Sequence, residues 1–147
     1  MTQMANLLEF SESIEQLLIA HKDDLDLQEI YFGDQDRIAS TPAACIEPMT
    51  KDNNISPNAA SRILTPILEV VVIVYHSAVQ STQQNVREVI AMAQNIEDLI
   101  NNQINFGGTV ISSYVARLES GFITKAGTPM RATRLSVIAK TRRTLPS

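Results

Sequence analysis

Ten consecutive residues, Ile67-Leu68-Glu69-Val70-Val71-Val72-Ile73-Val74-Tyr75-His76, carry a single acidic charge and are dense in β-branched and aromatic side chains. Such residues fit a pleated, buried strand. Alternation puts Leu68, Val70, Val72 and Val74 on one face and Val71, Ile73 and Tyr75 on the other, so neither face suits water. A strand of this kind belongs inside a sheet covered on both sides. Ser81-Thr82-Gln83-Gln84 follows as a Ser-x-x-Gln capping box. Val86, Val89, Ile90, Ala93, Ile96, Ile100 and Ile104 then recur at three- and four-residue steps. They predict an amphipathic helix of about 22 residues, stopped by Gly107-Gly108.

Upstream, Met4, Leu7, Leu8, Ile14, Leu17 and Leu18 mark one face of a helix from about Thr2 to Ala20, with Glu9, Glu12 and Glu15 on the other side. His21-Lys22 close this N-terminal element (1–22), where positive charge suits the helix dipole. Asp23-Asp24-Leu25-Asp26 lacks the glycine and distal glutamate of a calcium loop and reads as an acidic turn. Glu29-Ile30-Tyr31-Phe32 is a short strand, and Gly33-Asp34-Gln35-Asp36 a turn. Ala43 to Glu47 is a second short strand, with a proline at each margin, Pro42 and Pro48, placing it near a sheet edge or at its first residue. Residues 49–62 read as a polar loop.

Downstream, residues 109–142 form a hairpin around Ala126-Gly127. Pairing positions whose numbers sum to 253 sets Leu118 against Leu135, Ala116 against Val137, Tyr114 against Ala139, Val115 against Ile138 and Glu119 against Arg134. A one-residue slip would set Glu119 against Leu135 and Arg117 against Val137, which the pleat disfavours. The tip, Lys125 to Met130, is expected to project past the sheet as a basic, flexible end, and 143–147 to form a tail with no core to join. The sum is one α+β domain over 1–147: a mostly antiparallel sheet packed by one long helix and an N-terminal helix.

Charge is distributed more tellingly than its net of −4 suggests. Residues 1–52 hold eleven acids against three bases, and 117–147 hold seven bases against Glu119 alone. A chain so polarised can fold its ends together, solvate both, or present one end to the other end of a neighbouring copy. The last contact is heterologous and builds a ring when the rotation closes. No apolar run approaches the roughly 20 residues needed to span a bilayer. The acidic N-terminus has no basic region before an apolar core and is not expected to act as a signal peptide. One cysteine, Cys45, precludes an intrachain disulfide and fits a reducing cytoplasm.

Little catalytic chemistry is on offer. Neither a Gly-x-Gly-x-x-Gly nor a Walker A sequence occurs, and His21 and His76 stand apart from each other. Cys45 sits in an apolar strand as a small hydrophobe, and Glu88, Glu97 and Asp98 lie on a helix exterior. An enzyme, a metal and a cofactor are not expected. Arg131, Arg134, Lys140, Arg142 and Arg143 could contact phosphates, but they have no interleaved aromatic platform and the pI is about 5.1. A small DNA-binding module is therefore the alternative from a different class.

Ile30-Tyr31-Phe32-Gly33-Asp34-Gln35, then Ile38, then Thr41-Pro42-Ala43-Ala44-Cys45-Ile46-Glu47-Pro48, resembles the opening of neck and tail-completion proteins. Arg117-Leu118-Glu119-Ser120 and Arg134-Leu135-Ser136-Val137 are similar to their closing hairpin. With the order helix, two short strands, long strand, long helix and hairpin, most of the chain resembles the tail terminator family of long-tailed bacteriophages. The resemblance implies a virion protein assembled in the host cytoplasm. It would form a ring of about six copies that caps the head-proximal end of the tail tube, ends tube polymerisation and joins the tail to the head connector. A head-to-tail stopper is the close alternative. Partners would be the tube protein, the connector or stopper and, around a contractile tube, the sheath protein, with DNA passing through unread. The expected subunit interface sets Asp34 and Asp36 of one copy against Arg117, Lys125, Arg131, Arg134 and Lys140 of the next, with Lys125 to Met130 and 49–62 meeting adjoining layers.

Overall fold

The computed structural model describes residues 4–53, 63–77 and 82–144, with only the backbone of 82–84 and 144. The helix α1 spans Leu7–Ala20, and the strands β1 and β2 span Glu29–Phe32 and Ala43–Asp52. After the two-residue strand β3 (Ile63–Leu64) come β4 (Ile67–Ser77) and the helix α2 (Thr82–Asn101). The strands β5 (Ser112–Lys125), β6 (Thr128–Lys140) and β7 (Arg143–Thr144) complete the chain. The main sheet has the order β1-β2-β4-β6-β5, parallel only between β1 and β2. This is a single α+β domain with β4 at its centre.

The β4 faces behave as their composition demands. Leu68, Val70, Val72 and Val74 meet Phe10, Ile14 and Leu18 of α1 and Ala93, Ile96 and Ile100 of α2 in the main core. Val71, Ile73 and Tyr75 pack on the opposite face with Ile38, Cys45 and Met130. That second cover comes from the β1–β2 connection and the hairpin, so both helices lie on one side.

Several expected boundaries move. The N-terminal helix begins at Leu7 because Asn6 caps it: Asn6 Oδ1 accepts from the Glu9 N–H at 2.9 Å, and Glu9 Oε1 accepts in return from the Asn6 N–H at 3.4 Å. Phe10 faces inward, edge-on to Phe106 at 5.4 Å, beside the expected Ile14 and Leu18, whereas Leu8 is more than half exposed. The Ser81 capping box falls outside the described residues. The long helix ends at Asn101, and Gly107-Gly108, both with positive φ, shape a separate 3₁₀ turn at Phe106–Gly108. Ile104 is therefore exposed.

Rather than stopping at Pro48, β2 runs through it to Asp52 and lies inside the sheet. Its partner β1 reaches only Ile46, so at Pro48 the strand has β4 alone beside it, where a missing N–H is tolerated. Residues 49–52 of the expected loop are thus strand, and 54–62 lie outside the described residues. The expected tail also gains a partner: Arg143 and Thr144 pair with Leu64 and Ile63, extending the β4–β6 ladder past Pro66.

The hairpin follows the expected pairing from Arg117 to Lys125, including Leu118 with Leu135 and Glu119 with Arg134. A bulge at Ala116 then shifts Ser112 to Val115 by one position. Val115 faces Val137, Tyr114 faces Ile138, and Ala116 has no opposite number, correcting the three pairings expected there. The shift buries Ser113, whose hydroxyl donates to the Gln103 carbonyl at 3.0 Å, and turns Tyr114 outward. At the tip, Ala126 and Gly127 both have positive φ (50° and 80°), as a type I′ turn requires.

Two substitutions gauge these features in urea unfolding. Leu135→Ala, in the centre of the core, should lose about 2–5 kcal/mol. Ala126→Asn, which tolerates the left-handed turn better, should gain about 0.5–1 kcal/mol.

Candidate subunit interface

The strand order sorts charge across the sheet. Its acidic third, residues 1–52, forms α1, β1, β2 and their connections, and its basic third forms β5, β6 and β7. One sheet flank is therefore negative and the opposite flank positive.

The seven charged residues expected at the interface do not form one site. Asp34 and Lys125 meet within the chain, with both Asp34 carboxylate oxygens 3.1 Å from the Lys125 ammonium. The Tyr75 hydroxyl donates to Asp34 Oδ1 at 2.6 Å, and the ammonium lies 5.1 Å from the Tyr75 ring centroid. The Asp34 N–H donates to Glu47 Oε2 at 2.6 Å. This clasp fastens the hairpin to the 33–36 turn, so the Lys125 end is held rather than loose. Among the described residues it is the sole ion pair joining the acidic and basic thirds.

Arg134 is exposed and faces Glu119 across the hairpin, while Glu119 also pairs with Arg117 at 2.8 Å. With Glu69 and Met49 these residues border an open groove of about 520 Å³ on the sheet face away from the helices. Arg131 lies on the helix side, its guanidinium 4.1 Å from the centroid of Phe122, which is 66% exposed. Lys140 is exposed at the far end of β6, and Asp36 on the turn beyond the clasp. Sequence reading missed Tyr75 and Glu47 as partners of Asp34, and Phe122 as the partner of Arg131. Tyr75 carried a signal in its placement as the last aromatic of the buried strand. Glu47 carried none.

Buried titratable groups are tuned by desolvation. Burial pushes the Cys45 thiol up to about 11, against a hydrogen bond from the Gln35 backbone that lowers it. Burial lowers His76 below its ordinary value, with Glu88 pulling the other way. Tyr75 is pushed far up by burial, then by its hydrogen bond to Asp34 and that carboxylate's charge. Among the described residues, no three His, Cys, Asp or Glu side chains converge on a metal-sized position, and no helix is long and apolar enough to cross a membrane.

No protein-family model matches the chain, and no curated protein matches its sequence. Among solved structures, a chain described as "Virion of native gene transfer agent (GTA) particle" shares the fold. The two superpose with a TM-score of 0.65 over 90% of this chain and 94% of that chain, at 14% identity. The likeness is one of architecture over nearly the whole length of both chains.

The clasp is testable by alkaline titration. Tyr75 favours its protonated form in the folded state, so its stabilising contribution is complete below the unfolded value near 10 and is lost as pH rises above it. Ultraviolet absorbance should show one of the three tyrosines resisting ionisation until the chain unfolds, a late step absent from Tyr75→Phe. That variant should also lose about 1.5–3 kcal/mol at neutral pH.

Proposed function

We propose that this chain is a structural protein of a phage-like virion, acting as a tail terminator. It would form a ring of about six copies on the head-proximal end of the tail tube, end tube growth and offer a docking surface to the head-side connector. The observation that carries the reading is the fold shared with a chain of a gene transfer agent virion over nine-tenths of the sequence. The resemblance of the Ile30–Gln35 and Thr41–Pro48 segments and of the hairpin to neck and tail-completion proteins supports the terminator reading, with a head-to-tail stopper as the alternative. The transverse charge of the sheet fits repeated head-to-tail contact, since each copy offers unlike flanks. Asp36, Arg134 and Lys140 remain available for that contact, whereas Lys125 pairs with Asp34 and Arg117 with Glu119 within the chain. DNA would pass through the ring without being read, and no catalysis is required.

Light scattering of the purified chain at low and high salt tests the ring. The expected particle has the mass of about six chains and loosens as salt screens the opposed flanks. Lys140→Glu, on an exposed side chain outside both ion pairs, should weaken it without lowering the thermal midpoint. A single-chain mass at every salt would overturn the ring. Deleting the chain from its parent particle should give tubes of uneven length, whereas loss of a stopper would leave tube length uniform.

A further inference from the structure

Among the described residues the sheet has two open edges, and they are unlike. At one end β1 is four residues long and has β2 as its only paired strand. At the other end β5 has fourteen residues and pairs only with β6. The chain itself closes the first part of the β5 edge. The Ser113 N–H donates to the Ile104 carbonyl, and the Val115 N–H to Asn101 Oδ1, each at 2.8 Å. Both amides point away from β6. The extra residue at Ala116 moves this alternation by one, so the outward amides thereafter belong to Leu118, Ser120, Phe122 and Thr124. Among the described residues, none of these four amides has a hydrogen-bond partner outside the β5–β6 ladder.

Exposed edges are usually blunted by proline, lysine or a bulge. The Leu118–Thr124 stretch has neither proline nor lysine, lies beyond the bulge, and carries one charge, Glu119. It also displays Phe122 at 66% and Ile123 at 40% exposure, around a hollow of about 190 Å³ at Gly121. Nothing in this stretch opposes the approach of another strand.

We propose that Leu118–Thr124 of β5 pairs, main chain to main chain, with the β1 edge (Glu29–Phe32) of a second copy, so that the sheet continues from subunit to subunit. The proposal rests on the ring reading above and supplies its contact. Charge selects this partner. The β5 edge lies on the basic flank, with Arg117, Arg131 and Arg134 close by, and β1 lies on the acidic flank and itself begins with Glu29. Pairing β5 with another β5 would oppose two basic hairpins and end at a dimer, because that contact is isologous. Pairing unlike edges leaves each copy one edge still to fill, as a ring requires.

Hydrogen exchange in the assembled protein tests the pairing. The amides of Leu118, Ser120, Phe122 and Thr124 should exchange about tenfold or more slowly in the ring than in the salt-dissociated or diluted monomer. A ring in which all four exchange at the monomer rate overturns the strand pairing and leaves the ring reading standing. A wild-type chain that stays monomeric overturns both. Ser120→Pro gives an independent check, because it removes an outward N–H and spares the bonds to β6. It should remain folded, with a thermal midpoint near the wild-type value, and fail to assemble. A Ser120→Pro ring of wild-type mass overturns the pairing. If that variant does not fold, exchange in the wild-type ring decides.

Discussion

The burial of β4 on both faces is the constraint from which the rest of the structure follows. Leu68, Val70, Val72 and Val74 require one cover, and Val71, Ile73 and Tyr75 require another. Each such side chain contributes about 1.5–3 kcal/mol only if water is excluded from its side of the sheet. The two helices supply the first cover with a broad apolar surface. The second has no helix, and a largely polar connection between β1 and β2 contributes a single buried aliphatic, Ile38. Such a segment has little apolar area to hold it down. The Tyr75–Asp34–Lys125 clasp compensates by fixing its beginning to both the central strand and the hairpin.

What was legible in the sequence was whatever depends on nearest neighbours along the chain. The apolar run of β4 could only be a central strand, and Ala126-Gly127 set the hairpin pairing as far as Arg117. Beyond it, Tyr114-Val115-Ala116 offers no alternation strong enough to reveal a slip. The bulge is decided by distant groups, the Asn101 side chain and the Ile104 and Gln103 carbonyls, which satisfy the polar atoms of Ser113 and Val115. Pro48 misled for a similar reason, because whether a proline ends a strand depends on the neighbours present at that level. In α1 the periodicity located Leu7, Ile14, Leu17 and Leu18 at the core but included Leu8, which is exposed, and passed over Phe10, which is buried.

The candidate interface was legible as a charge distribution but not as a set of contacts. Counting acids and bases locates two opposed thirds of the chain. It cannot show that Lys125 reaches back to Asp34, that Glu119 engages Arg117, or that Phe122 carries Arg131 above its ring. Those pairings divide the basic residues into ones satisfied within the chain and ones left at the surface. The polar backbone of an edge strand leaves no mark in composition at all, since every residue carries the same amide.

The bulge at Ala116 also bears on the time course of folding. The β5–β6 hairpin is made of local contacts and can close within microseconds, whereas β4 must find β6 across the whole of α2. In that interval both hairpin rails are bare, and the inner one carries Leu135 and Val137. Docking onto β4 covers the inner rail, while capture of Ser113 and Val115 by the end of α2 waits until that helix has packed. The hairpin would thus be most adhesive before its own domain is complete, a hazard common to slow, long-range sheet pairings. Completion of the helix narrows the sticky length from a whole strand to the short stretch beyond the bulge, so the same irregularity that redirects one alternation also limits how much edge is left for indiscriminate association.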